Sequence, residues 1–124
     1  MISKTNFREL ATVVDPALEK HAKLLVVFKG TKDEVTGENW CSDCVKAEPV
    51  INEFLLPKAK EEGIPVIYVD CGLRDEWKNP ENEARKHKIF NITGVPTVAL
   101  IEDGALVTKL MEEELFDGDI VATL

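Results

Sequence analysis

Short apolar runs and amphipathic stretches alternate along the chain and predict a mixed α/β order. Phe7, Leu10, Ala11, Val14 and Leu18 recur at helical spacing, which predicts an amphipathic helix giving way near His21-Ala22, with Pro16 shortening or kinking it. Leu24-Leu25-Val26-Val27-Phe28 has no polar interruption, the pattern of a central strand buried on both faces. Gly30 to Asn39 is polar and reads as a loop. From Cys41 onward, Val45, Ala47, Ile51, Phe54, Leu55 and Ala59 predict a long helix ending near Gly63, interrupted at Pro49 and again at Pro57.

Pro65-Val66-Ile67-Tyr68-Val69 reads as a second buried strand ending at Asp70-Cys71-Gly72, and the polar stretch from Pro80 to Lys88 as a helix. Thr97 to Ile101 and Ala105 to Thr108 flank Glu102-Asp103-Gly104, a hairpin signal. Met111 to Leu124 is expected to close the fold as a helix. No repeat or low-complexity segment is present, and 124 residues with 44% apolar content suit one domain, residues 1–124, with a core that needs no staples.

Charge narrows the partners. Twenty-three acidic residues against 15 basic ones give a formal net charge of −8, a field that repels phosphate backbones and anionic lipid. Nucleic acid and membrane surfaces are therefore not expected partners. Met1 to Phe7 lead into a polar, charged segment without the apolar core of a signal peptide, and no membrane-spanning run occurs, so a cytoplasmic location is expected.

Cys41, Cys44 and Cys71 are the only cysteines, too sparse a set for a disulfide framework, so the close pair reads as catalytic or metal-binding. At a helix start, Cys41 meets unpaired backbone N–H groups and the positive end of the dipole, which favour its thiolate. Cys44, one turn further in, can close a disulfide and resolve a mixed one. Zinc sites use the same spacing, with Cys71, His21 and His87 as further ligand candidates. Without a second close pair, no metal is expected. Cys71 reads as a small buried hydrophobe and Trp77 as a structural anchor in a loop or at the surface. The acceptor pattern Asn91-Ile92-Thr93 is discounted for want of a signal peptide.

The surrounding order is strand, loop, Trp40-Cys41-Ser42-Asp43-Cys44 opening a helix, strand, helix, then Gly94-Val95-Pro96-Thr97 before a hairpin. Together with Pro49, eight residues after Cys41, this order resembles the thioredoxin superfamily. Within it, Phe28-Lys29-Gly30-Thr31-Lys32-Asp33, the lengthened loop before Trp40, Cys44-Val45-Lys46-Ala47-Glu48-Pro49-Val50 and Trp77-Lys78-Asn79-Pro80 are similar to the thioredoxin domain-containing protein 17 family, also called Clot. The resemblance implies a thioredoxin fold, a central mixed sheet flanked by helices. It also implies a cis Val95-Pro96 bond that sets the Val95 backbone beside the cysteines as a docking point for an extended substrate.

The activity it implies is cytosolic disulfide reduction in cell redox homeostasis, with Cys41 as nucleophile and Cys44 as resolving thiol. No cofactor would be bound: the Cys41–Cys44 disulfide is the redox centre, recharged by NADPH through thioredoxin reductase. Targets would be narrower than those of thioredoxin: small disulfides, nitrosothiols and selected protein disulfides. Trp40, Ser42, Val95 and Pro96 are the docking candidates, and a monomer is expected.

Two departures touch the site. Ser42 stands where the family usually has proline, and no carboxylate lies within Leu24 to Phe28, where ordinary thioredoxins bury an aspartate. Asp43, a carboxylate at the helix start, is read either as acceptor of the Cys44 proton or as a stabiliser of the first helical turn. A rival reading from another class is a thioredoxin-fold binding or signalling adaptor, with the cysteines serving only as a redox switch.

Overall fold

The computed structural model describes residues 2–124. Five strands, β1 (Ile2–Asn6), β2 (Lys23–Lys29), β3 (Val66–Asp70), β4 (Thr97–Glu102) and β5 (Ala105–Met111), form one sheet in the order β1-β3-β2-β4-β5. β1 and β2 flank β3 in parallel, while β4 runs antiparallel to both β2 and β5. The sheet is mixed, as the α/β reading requires.

β2 is the centre, and Leu24 to Phe28 are all buried. Leu24, Val26 and Phe28 join Leu10, Val14, Phe90 and Ile92 on one face; Leu25 and Val27 join Ile51, Leu55, Leu115 and Val121 on the other. Successive side chains point to opposite faces, so an unbroken apolar run is what a strand covered on both sides needs. The hairpin falls at Asp103-Gly104, both at positive φ (51° and 79°), the conformation of a tight turn between twisted strands.

Helices α1 (Asp15–Lys20), α2 (Ser42–Val50), α3 (Leu56–Glu62), α4 (Arg74–Lys78), α5 (Glu83–Lys86) and α6 (Gly118–Val121) cover the sheet. Pro16 and Pro57 do not break their helices. Each is preceded by a widened π turn, Leu10–Val14 or Ile51–Leu55, in which the residue before the proline, Asp15 or Leu56, donates five residues back, to Leu10 or Ile51. The wider turn accommodates a ring that lacks an N–H and would crowd the preceding carbonyls.

Three expectations are corrected and one strand, β1, is added. β1 was not foreseen, because its sequence is mostly polar and its place depends on β3 backbone groups. The segment from Pro80 to Lys88 holds only the short α5, while Trp77 lies in α4 and is 6% exposed, a core residue rather than a surface or loop anchor. The closing helix is two short pieces, a 3-10 turn at Glu112–Phe116 and α6, because Asp117 leaves helical geometry to cap Asp119 and Ile120.

Candidate active site

β2 and β3 end side by side with Lys29 opposite Asp70, and their extensions carry the site. Lys29 Nζ lies 2.9 Å from Asp70 Oδ1, an ion pair whose alignment falls short of a hydrogen bond. Beyond it, Cys71 N donates to Lys29 O at 2.8 Å and Thr31 N to Gly72 O at 3.1 Å. Gly72 has φ 95°, and a Cβ there would stand 2.6 Å from Glu76 Cβ, so this corner needs glycine. Trp40 Nε1 also donates to Gly72 O, at 3.0 Å, and the Arg74 guanidinium lies 5.7 Å over the indole.

The polar loop 30–39 is ordered as a short hairpin. Lys32 and Asn39 form an antiparallel bridge, Asp33 N donates to Glu38 O at 2.8 Å, and Asp33 Oδ1 accepts from Val35 N at 2.8 Å. Asn39 then fixes the approach to the cysteines, with Nδ2 donating to Gly30 O at 2.8 Å and Oδ1 accepting from Cys41 N at 2.9 Å. Sequence reasoning missed Asn39. The two-residue spacing of an Asx turn before a helix start was the available signal.

Cys41 is itself the N-cap of α2: its Sγ accepts from Cys44 N at 3.3 Å, and Ser42, the first helical residue, is exposed. As a thiol, Cys41 donates to Val95 O at 3.4 Å. The Val95-Pro96 peptide is cis, as the resemblance implied. Cys44 Sγ accepts from Gly30 N at 3.4 Å. Cys41 and Cys44 are 7% and 6% exposed, so both residues are buried.

The two thiols are pushed apart. Cys41 falls from 9.0 to about 7 because the Cys44 thiol and N–H bond to its sulfur, against opposing contributions from burial and the Asp43 charge. Cys44 is driven strongly upward, first because its proton is held by the Cys41 sulfur and then by burial. Asp43 is half-buried one residue before Cys44, and adjacent helical side chains diverge; its charge acts on Cys41. Cys71 is fully buried, and burial first, then the neighbouring Asp70 charge, raise it to about 12. Among the described residues, no group of three or more His, Cys, Asp or Glu is arranged to hold a metal ion, and no helix is long and apolar enough to cross a membrane.

Sheet order, capped helix and facing Val95-Pro96 define a thioredoxin-fold protein whose cysteine pair sits at the active-site loop, an arrangement suited to a redox role. The chain belongs to the thioredoxin domain-containing protein 17-like family, whose thioredoxin-domain model matches residues 3–124. It is 43% identical over 104 residues to thioredoxin domain-containing protein 17 of Danio rerio, covering 82% of this chain and 76% of that one. To the thioredoxin-like protein Clot of Oryza sativa subsp. japonica it is 33% identical, covering 94% and 84%. A mutant thioredoxin from Halobacterium salinarum superposes with a TM-score of 0.62 at 20% identity, covering 98% of this chain and 85% of that one, a likeness of fold.

Proposed function

We propose that this protein is a cytosolic, monomeric, single-domain disulfide reductase working through Cys41 and Cys44. The observation that carries the reading is the Cys41 sulfur, lowered to about 7 and held between Cys44 N–H and Val95 O at the start of α2. Near neutral pH a large fraction is thiolate, while the thiol retained by Cys44 is kept for the second step.

The Cys41 thiolate attacks a target disulfide and forms a mixed disulfide, releasing one half of the target. Cys44 then displaces the other half and closes the Cys41–Cys44 disulfide. On ionisation Cys41 ceases to donate to Val95 O, leaving that carbonyl open to an extended target N–H. Trp40, Ser42 and Pro96 complete the docking surface. The ordered hairpin 30–39 stands beside it, and its bulk supports a narrower range than that of thioredoxin: small disulfides, nitrosothiols and selected protein disulfides. Membership of the family supports NADPH, delivered through thioredoxin reductase, as the source of electrons.

The test is NADPH consumption with thioredoxin reductase and cystine. Turnover should require both cysteines and be abolished in Cys41→Ser and Cys44→Ser. Failure of the wild-type protein to turn over, both with that reductase and in a glutathione-coupled assay, would overturn the reading.

A further inference from the structure

Resolution of the mixed disulfide requires Cys44 to lose a proton, and its thiol is buried and held neutral. Once Cys41 is engaged by the target, the bond between the two thiols is gone and burial is what opposes ionisation. A base is needed at the sulfur or one water away.

Cys44 lines a cavity of about 280 Å³ beneath α2, walled also by Lys4 from β1, Lys29 from β2, Lys32 from the hairpin, Tyr68 from β3 and Glu48 from α2. That volume has room for several waters, each taking about 30 Å³. Glu48 stands four residues after Cys44, with Cβ atoms about 5–6 Å apart, but where Cys44 is buried Glu48 is exposed, so its carboxylate sits at the solvent-facing rim of the cavity. The other titratable walls are poor acceptors. Lysine ammonium groups have no lone pair, and Lys29 is held by Asp70. Tyr68 keeps its proton, its pKa raised by burial and then by the Glu48 charge.

We propose that Glu48 is the proton acceptor for Cys44 in the resolving step, acting through water in this cavity. The proposal rests on the reductase reading and adds the group that makes its second half-reaction proceed near neutral pH. The proton of Cys44 passes by way of water to the Glu48 carboxylate, and the sulfur keeps the electron pair. That pair forms the Cys41–Cys44 bond as the bond between Cys41 and the target sulfur breaks. The target leaves as a thiolate, is protonated by solvent, and has gained two electrons in all; Glu48 returns its proton to the cavity water.

The experiment is stopped-flow mixing of the reduced protein with dithiobis(nitrobenzoate), which releases one coloured thiolate on Cys41 attack and a second on resolution by Cys44. Followed over roughly pH 6 to 9, Glu48→Gln should slow the second release relative to the first by about tenfold or more near neutrality, with the deficit closing as hydroxide takes over. Glu48→Asp should recover part of the rate. A second release in Glu48→Gln that keeps its rate, or is slowed equally at every pH, would overturn the proposal, as would Asp43→Asn producing the pH-dependent loss instead. Absence of the first release in the wild-type protein would overturn the reductase reading itself, so the two failures are distinguishable.

Discussion

Trp40 Nε1 donates to the carbonyl of Gly72 at 3.0 Å, tying the residue before the nucleophile to the corner that ends β3. Trp40→Phe keeps most of the apolar contact and removes that bond, while Gly72 O still accepts from Thr31 N at 3.1 Å. The stability cost is therefore at the low end, about 1 kcal/mol. The chemical cost should be larger, because the indole sets where Cys41 stands: cystine reduction should fall roughly tenfold. Urea unfolding and coupled NADPH consumption check the two numbers separately.

Asn39 does for the backbone what Trp40 does for the side-chain frame. One amide bonds both Gly30 O and Cys41 N, and an added Cβ on Gly30 would come within 2.9 Å of Asn39 Oδ1. Asn39→Ala leaves both groups without these partners and should destabilise by about 2 kcal/mol. Below about pH 7, where the Cys41 thiolate adds nothing to stability, Cys41→Ser keeps this backbone and should unfold near the wild-type midpoint, a contrast that calorimetry of the three proteins measures.

The cysteine spacing, the β2 run and the Asp103-Gly104 turn were legible in sequence because each is a local rule: helix capping, two-sided burial, positive φ. What was not legible depends on partners far along the chain. Ile2 to Asn6 become a strand through Val66 to Asp70, and their own side chains carry little of the pattern. Trp77 is buried because α4 folds it under the sheet. Met111 to Leu124 has helix-forming composition, yet the Asp117 cap restarts the helix at Gly118 and divides it. At the site, the Cys44–Glu48 spacing was readable as about one turn of helix; the cavity they line was not.

Cys71 shares the apolar cluster with Cys41 and Cys44 and is fully buried, with its backbone carbonyl accepting from Asn82 Nδ2 at 3.0 Å. Cys71→Ala retains that backbone bond and removes one sulfur from a packed site, so a loss of about 1 kcal/mol is expected. Turnover should be unchanged. A large fall in activity at intact stability would give Cys71 a role in electron transfer.

Asp43 opposes the Cys41 thiolate through its charge. Asp43→Asn should therefore move the midpoint for alkylation of Cys41 to lower pH and make the protein react faster with iodoacetamide in mildly acidic buffer. Cys44→Ser variants with and without the change give a clean reading, since only one site-pair thiol then remains. An upward movement would mean that the carboxylate acts mainly as a helix-start group whose loss weakens the N-terminal field.

The opposed shifts of the cysteine pair also set how stability of the reduced protein varies with pH. Cys41 has a folded value of about 7 against an ordinary 9.0, so its contribution is present in full above 9.0 and is lost as pH falls through about 7. Two units of difference correspond to about 2–3 kcal/mol. Cys44 and Cys71 are shifted the other way: their contribution is present below 9.0 and is lost as pH rises, because the unfolded chain releases protons that the fold retains. Stability should therefore climb between about pH 7 and 9 and decline beyond it. Chemical denaturation of the reduced protein at stepped pH measures the curve. In Cys41→Ser the climb should disappear while the alkaline decline remains, which assigns the rising limb to the one thiol whose thiolate the fold prefers.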